Sequence, residues 1–135
     1  MELTRRNALA AASASLLLAI TGKAQGTQNT PVFTHDLPNL TMEDWQVTVT
    51  QITLPPGNVG APHRHPGFVL VYVLEGAVVA KITGSPEDTY GPGQMFYEYP
   101  GSTHEVSRNA SATMPAKFLA FIFAKKGLPL TSGPK

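Results

Sequence analysis

His63-Arg64-His65-Pro66-Gly67-Phe68-Val69-Leu70-Val71-Tyr72-Val73-Leu74-Glu75-Gly76 is the stretch on which the fold turns. From Phe68 to Leu74 it is continuously apolar and rich in β-branched and aromatic residues, then Glu75-Gly76 breaks it. Seven residues are too few for an ordinary helix, so the run reads as a strand. Apolar side chains on both faces of a strand mean that both faces are covered. One face belongs to an interior. Phe68, Leu70, Tyr72 and Leu74 therefore need a second cover, from the N-terminal segment or from another subunit, and a homodimer is the expectation.

The flanking sequence repeats the pattern. Trp45-Gln46-Val47-Thr48-Val49-Thr50 alternates with period two, and Leu54-Pro55-Pro56-Gly57 stops it. Ala77 to Ile82, Met95 to Tyr99, His104 to Ser107 and Ala116 to Phe123 read as further strands. Gly84-Ser85-Pro86-Glu87-Asp88, Gly91-Pro92-Gly93 and Pro100-Gly101 read as turns between them. Short strands with turns every eight to twelve residues predict an all-β fold, a sandwich or small barrel, in one domain. Residues 25–44 form a lead-in, residues 45–126 the barrel, and residues 127–135 a Pro- and Gly-rich tail draped over the surface. The chain has 135 residues and no cysteine, which excludes disulfides, thiolate zinc sites, iron–sulfur clusters and a cysteine nucleophile. Basic residues do not cluster with aromatics as nucleic-acid binding requires. No phosphate-cradling loop and no Gly-x-Ser-x-Gly elbow occurs.

The net charge of +1 owes its sign to Arg5, Arg6 and Lys23. Residues 1–24 read as a signal peptide: paired arginines, an uncharged stretch from Ala8 to Ile20, then Gly22-Lys23-Ala24 ahead of a cleavage site. The apolar stretch is too short for a membrane-spanning helix, so no stable insertion follows cleavage. The twin arginines resemble a Tat signal, with Sec export as the alternative, and a periplasmic or secreted location is expected.

Three of the four histidines are placed informatively. His63 and His65 are two apart, so in an extended segment both imidazoles share a face and Arg64 takes the other. Their Cα atoms then lie roughly 6.5–7 Å apart, a separation from which two rings can converge on one ion. Imidazole suits iron, nickel, copper and zinc. Two histidines alone fit a structural role equally well.

The wider spacing adds to this. Gly57, His63, His65 and Gly76 occupy the glycine and histidine places of G-x5-HxH-x3,4-E-x6-G, and Gly93, Gly101 and His104 match G-x5-PxG-x2-H-x3-N. In these positions the chain resembles the cupins, from about Val47 to Phe123. The resemblance implies a jelly-roll-like β-barrel with a metal held by His63, His65 and His104. It also departs from the family pattern. Val69 stands where the family places a ligand glutamate, Tyr99 replaces the usual proline beside Pro100, and Arg108 replaces the closing asparagine beside Asn109. The remaining three-histidine set is similar to that of ferrous cupin dioxygenases that cleave β-diketones or oxidise cysteine. It implies Fe2+, with Mn2+, Ni2+ or Zn2+ as alternatives, and oxidation of a small chelating substrate. An ion among neutral ligands should favour an anionic chelate. The alternatives are a non-catalytic small-molecule or metal-binding cupin and a redox-neutral lyase, isomerase or decarboxylase.

Glu98 is the acid to which a catalytic role is assigned. It ends the aromatic run Met95-Phe96-Tyr97-Glu98 and reads as a general base or a hydrogen-bond acceptor fixing a histidine, as a fourth ligand, or as an outward side chain at the rim. Glu105 should face away from His104. His35 and Arg64 read as surface or interface residues, and Arg108 as a surface cation, with contact to an anionic substrate as the alternative.

Overall fold

The computed structural model describes residues 26–134. The predicted signal peptide lies outside the described residues. Nine strands follow in order: β1 (Trp45–Leu54), β2 (Val59–Gly60), β3 (His63–Arg64), β4 (Phe68–Glu75), β5 (Val78–Ile82), β6 (Asp88–Tyr90), β7 (Met95–Glu98), β8 (Thr103–Asn109) and β9 (Ala116–Lys125). One sheet has the order β1-β9-β4-β7, the other β2-β8-β5-β6, with β3 also paired to β8. All pairings are antiparallel. The all-β jelly-roll expectation holds, with two sheets in place of one continuously hydrogen-bonded barrel. Among the described residues no helix is long and apolar enough to cross a membrane.

Strict alternation builds the core. Val69, Val71 and Val73 of β4 point inward and are essentially inaccessible, and Ala116, Phe118, Ala120 and Ile122 of β9 are buried beside them. Val78, Ala80 and Ile82 of β5 and Phe96 of β7 meet them from the remaining strands. Each fully buried Val, Ile or Phe side chain contributes about 1.5–3 kcal/mol relative to exposure.

The outer face of the four-stranded sheet is also apolar. Phe68 stacks on Phe123 at 4.6 Å between ring centroids and meets Trp45 at 6.1 Å. The lead-in supplies part of the second cover that the sequence required: His35 lies 4.1 Å from Tyr97 and stacks with Phe33. Val47 and Val49, on the same face, stay half exposed.

Two glycines are fixed by close approach. A side chain at Gly67 would stand 1.8 Å from the Phe123 carbonyl oxygen, so only glycine lets β4 start against the end of β9. Gly76 has φ 68°, and a Cβ there would stand 2.6 Å from the Pro115 carbonyl oxygen, just after the bulge at Val73/Glu75.

Asn109, one place beyond the motif position taken by Arg108, is buried. Its Nδ2 faces the carbonyls of Leu54, Pro55 and Met114 at 3.2, 3.0 and 2.8 Å, and its Oδ1 accepts from the Ser111 amide at 2.9 Å. One amide thus ties the end of β1 to the loop between β8 and β9, a role that Arg108, paired with Glu87, does not fill.

Candidate metal centre

Antiparallel pairing of β3 with β8 places His63 directly opposite His104, so the two imidazoles share the inner face with ring centroids 5.0 Å apart. His65, just past β3, presents its ring edge-on to His63, also at 5.0 Å. Arg64 turns away as alternation requires, and its guanidinium donates to the Gly101 carbonyl. The structure thus brings together the three histidines that the cupin resemblance implied.

Each ring has one nitrogen engaged. The Nδ1–H of His63 donates to the Ala61 carbonyl at 3.0 Å, and that of His65 to the Leu130 carbonyl at 2.6 Å. A carbonyl can only accept, so these bonds fix the tautomer and leave each Nε2 with its lone pair free. Nδ1 of His104 lies 3.2 Å from Oε1 of Glu98. Its Nε2 is buried without a hydrogen-bond partner. An orphaned, buried ring nitrogen costs free energy unless something pairs with it.

Glu98 completes the cluster. Alternation along β7 turns Phe96 and Glu98 inward, and only 4% of Glu98 is exposed, which removes the rim reading. Its cross-strand partner in β4 is Val69. Oε2 of Glu98 lies 3.6 Å from Nε2 of His65. That nitrogen and that oxygen are both acceptors when His65 is neutral, and a cation between or beside them relieves the conflict. Donor atoms of His63, Glu98 and His104 all lie within 4.8 Å of one another, so these residues could hold a metal ion. The donor set, nitrogen and carboxylate oxygen, fits a divalent first-row transition metal. The expectation of neutral ligands alone came from Val69; the structure brings a carboxylate to the cluster from Glu98, its cross-strand partner.

Burial lowers the pKa of His63 below the ordinary 6.5, helped by the neighbouring His104 and His65 and opposed by its bond to the Ala61 carbonyl. The ring is thereby kept in its neutral, ligating form.

The cluster lines a cavity of about 360 Å³ between the sheets. Its other walls come from the inner faces of β1, β4 and β9, and from Leu130 and Thr131 of the tail. The tail is therefore part of the site. Arg64 and Ser132 exchange two backbone hydrogen bonds of 2.9 Å, which hold the Leu130 carbonyl over His65. Pro- and Gly-rich composition gave no sign of this contact; the only hint was the pair of leucines, Leu128 and Leu130, in the tail.

The remaining candidates lie elsewhere. Glu105 pairs with Lys81 at 2.6 Å on the outside. Arg108 pairs with Glu87 at 3.0 Å and does not line the cavity. His35 packs on Tyr97, away from the cluster.

A family model described as "Cupin domain" matches residues 50–122, more than half of the chain. Solved structures with the same fold include the DMSP lyase DddQ from Ruegeria pomeroyi, with 20% identity, a TM-score of 0.56, and coverage of 64% of this chain and 42% of that one. A predicted oxalate decarboxylase from Thermotoga maritima shares 25% identity over 61% of this chain and 69% of its own, with a TM-score of 0.52. An oxalate oxidase in complex with the substrate analogue glycolate shares 19% over 75% and 62%, with a TM-score of 0.54. The chain spans less than half the length of the DMSP lyases it matches. Among curated protein sequences none matches.

Proposed function

The chain belongs to the cupin family, and we propose that it is an exported metal-dependent enzyme acting on a small chelating organic molecule. In this reading His63, His65, His104 and Glu98 hold one divalent ion. The observation that carries it is the meeting of His63, His65 and the buried His104 and Glu98, with one nitrogen of His104 left without a partner. Bound there, the ion would supply Lewis acidity and, if it is iron or manganese, a redox couple.

The residues of the chain do the rest. The carbonyls of Ala61 and Leu130 hold two imidazoles in the ligating tautomer. Glu98 carries the negative charge, and the apolar walls limit the water that reaches the substrate. Dioxygenase-like oxidation on Fe2+ is the first reading, because a few protein ligands leave coordination positions open. The buried Glu98 favours a second, a redox-neutral lyase or decarboxylase in which this carboxylate moves a proton. The names of the structural neighbours include both kinds of chemistry.

Metal analysis followed by oxygen-electrode assays on diketones, catechols and hydroxy acids tests this. Oxygen uptake that tracks metal content supports the oxidase reading. Turnover that persists without oxygen supports the redox-neutral one, and metal-bound protein inert to every chelate leaves a binding protein. Periplasmic or secreted location and a homodimer through the apolar outer face belong to the same proposal. Cell fractionation and sedimentation test them; a cytoplasmic monomer would contradict both.

A further inference from the structure

We infer that the substrate grips the site through one chelating head, with at most a single negative charge, and seats a hydrocarbon body in the remaining cavity. This rests on the metal reading above and adds the class of molecule. Among the described residues, no lysine and no arginine lines the cavity. Ile52, Leu54, Val71, Phe118, Ala120 and Ile122 form most of its apolar lining. Among the described residues, the one acidic side chain lining it is Glu98.

The basic side chains of the strands are committed elsewhere. Lys81 pairs with Glu105, Arg108 with Glu87 and Lys117 with Glu75, while Arg64 donates to a carbonyl. Lys125 is exposed at the end of β9. A divalent ion already neutralised in part by Glu98 has about one positive charge left for a ligand. A second carboxylate on the substrate would be pressed against apolar walls with no cation to meet it, which burial penalises heavily. Hydroxyls of Thr50, Ser107 and Thr131 offer neutral hydrogen bonds, so a hydroxyl or carbonyl on the body is tolerated. An apolar wall facing a polar head group is the usual division of labour in a small-molecule pocket.

The test is calorimetry on the full mature protein loaded with Mn2+, using straight-chain alkyl hydroxamates, which chelate as monoanions, and oxalate, a compact dianion. Affinity should rise about fourfold per methylene over the first few carbons and then level off once the cavity is full. Oxalate should bind no more tightly than acetohydroxamate. Ile52→Asn, at a partly buried position on the apolar wall, should flatten the chain-length series with metal content unchanged. A flat series or preferred binding of oxalate in metal-loaded wild-type protein overturns this inference and leaves the metal site standing. A protein that takes up no Mn2+, Fe2+, Ni2+ or Zn2+ overturns both.

Discussion

Val69 and Glu98 face each other as cross-strand partners of β4 and β7, both buried on the inner side of the same sheet. Directly opposite Cβ atoms in antiparallel strands are about 4.5–5.5 Å apart, less than the reach of a glutamate side chain plus a metal–oxygen bond. The carboxylate missing from one strand can thus be offered from its neighbour with little change in where the oxygen arrives. This predicts an exchange. Glu98→Val should lose most metal binding, and Val69→Glu in the same chain should recover a large part of it, read by competition with a chromophoric chelator. Failure of the second substitution to restore any metal would mean that Glu98 acts by another route.

Removing residues 128–135 should weaken metal binding by about 10–100-fold, the usual cost of losing the partner that orients a ligating histidine. The truncated protein should still fold, because the two sheets close without the tail. Chelator competition beside circular dichroism separates the two effects. Unchanged affinity would show that the bond from His65 to the Leu130 carbonyl has no part in ligation.

Asn109→Ala should destabilise the fold by at least about 1–3 kcal/mol, because the carbonyls it serves lose a buried donor. Arg108→Ala, on an exposed pair with Glu87, should stay within about 0.5 kcal/mol. Urea unfolding of both variants at neutral pH makes the comparison.

Alkaline pH should weaken the fold through Tyr97. Burial raises its pKa above the ordinary 10.0, so the unfolded chain gives up this proton first. The contribution of the neutral hydroxyl is complete below pH 10 and is lost as pH rises through 10 towards the higher folded value. Tyr97→Phe should therefore show a shallower loss of stability above pH 10 than the wild type. Identical slopes would place Tyr97 in water.

What could be read in advance follows the range of the interactions. Strands at Trp45, Phe68, Val78, Met95 and Ala116 were legible because alternation and β-branched residues are local. The shared face of His63 and His65 was legible from their spacing, and His104 joined them through the cupin resemblance. The two-residue strands β2 and β3 and the short β6 were not, since their pairing with β5 and β8 comes from distant partners. The place of Glu98 opposite Val69 is a matter of register between two strands, which no local pattern encodes. The Leu130 contact lies 65 residues from His65 and is made by a backbone carbonyl, which has no side-chain signature.

The most direct test is a crystal structure of the mature protein grown with Fe2+ or Mn2+, with anomalous data collected at the metal edge. The account predicts one peak ringed by ring nitrogens of His63, His65 and His104 and an oxygen of Glu98, at about 2.0–2.3 Å. No peak at this cluster, or a metal bound there without Glu98 and at least two of the histidines, would contradict it.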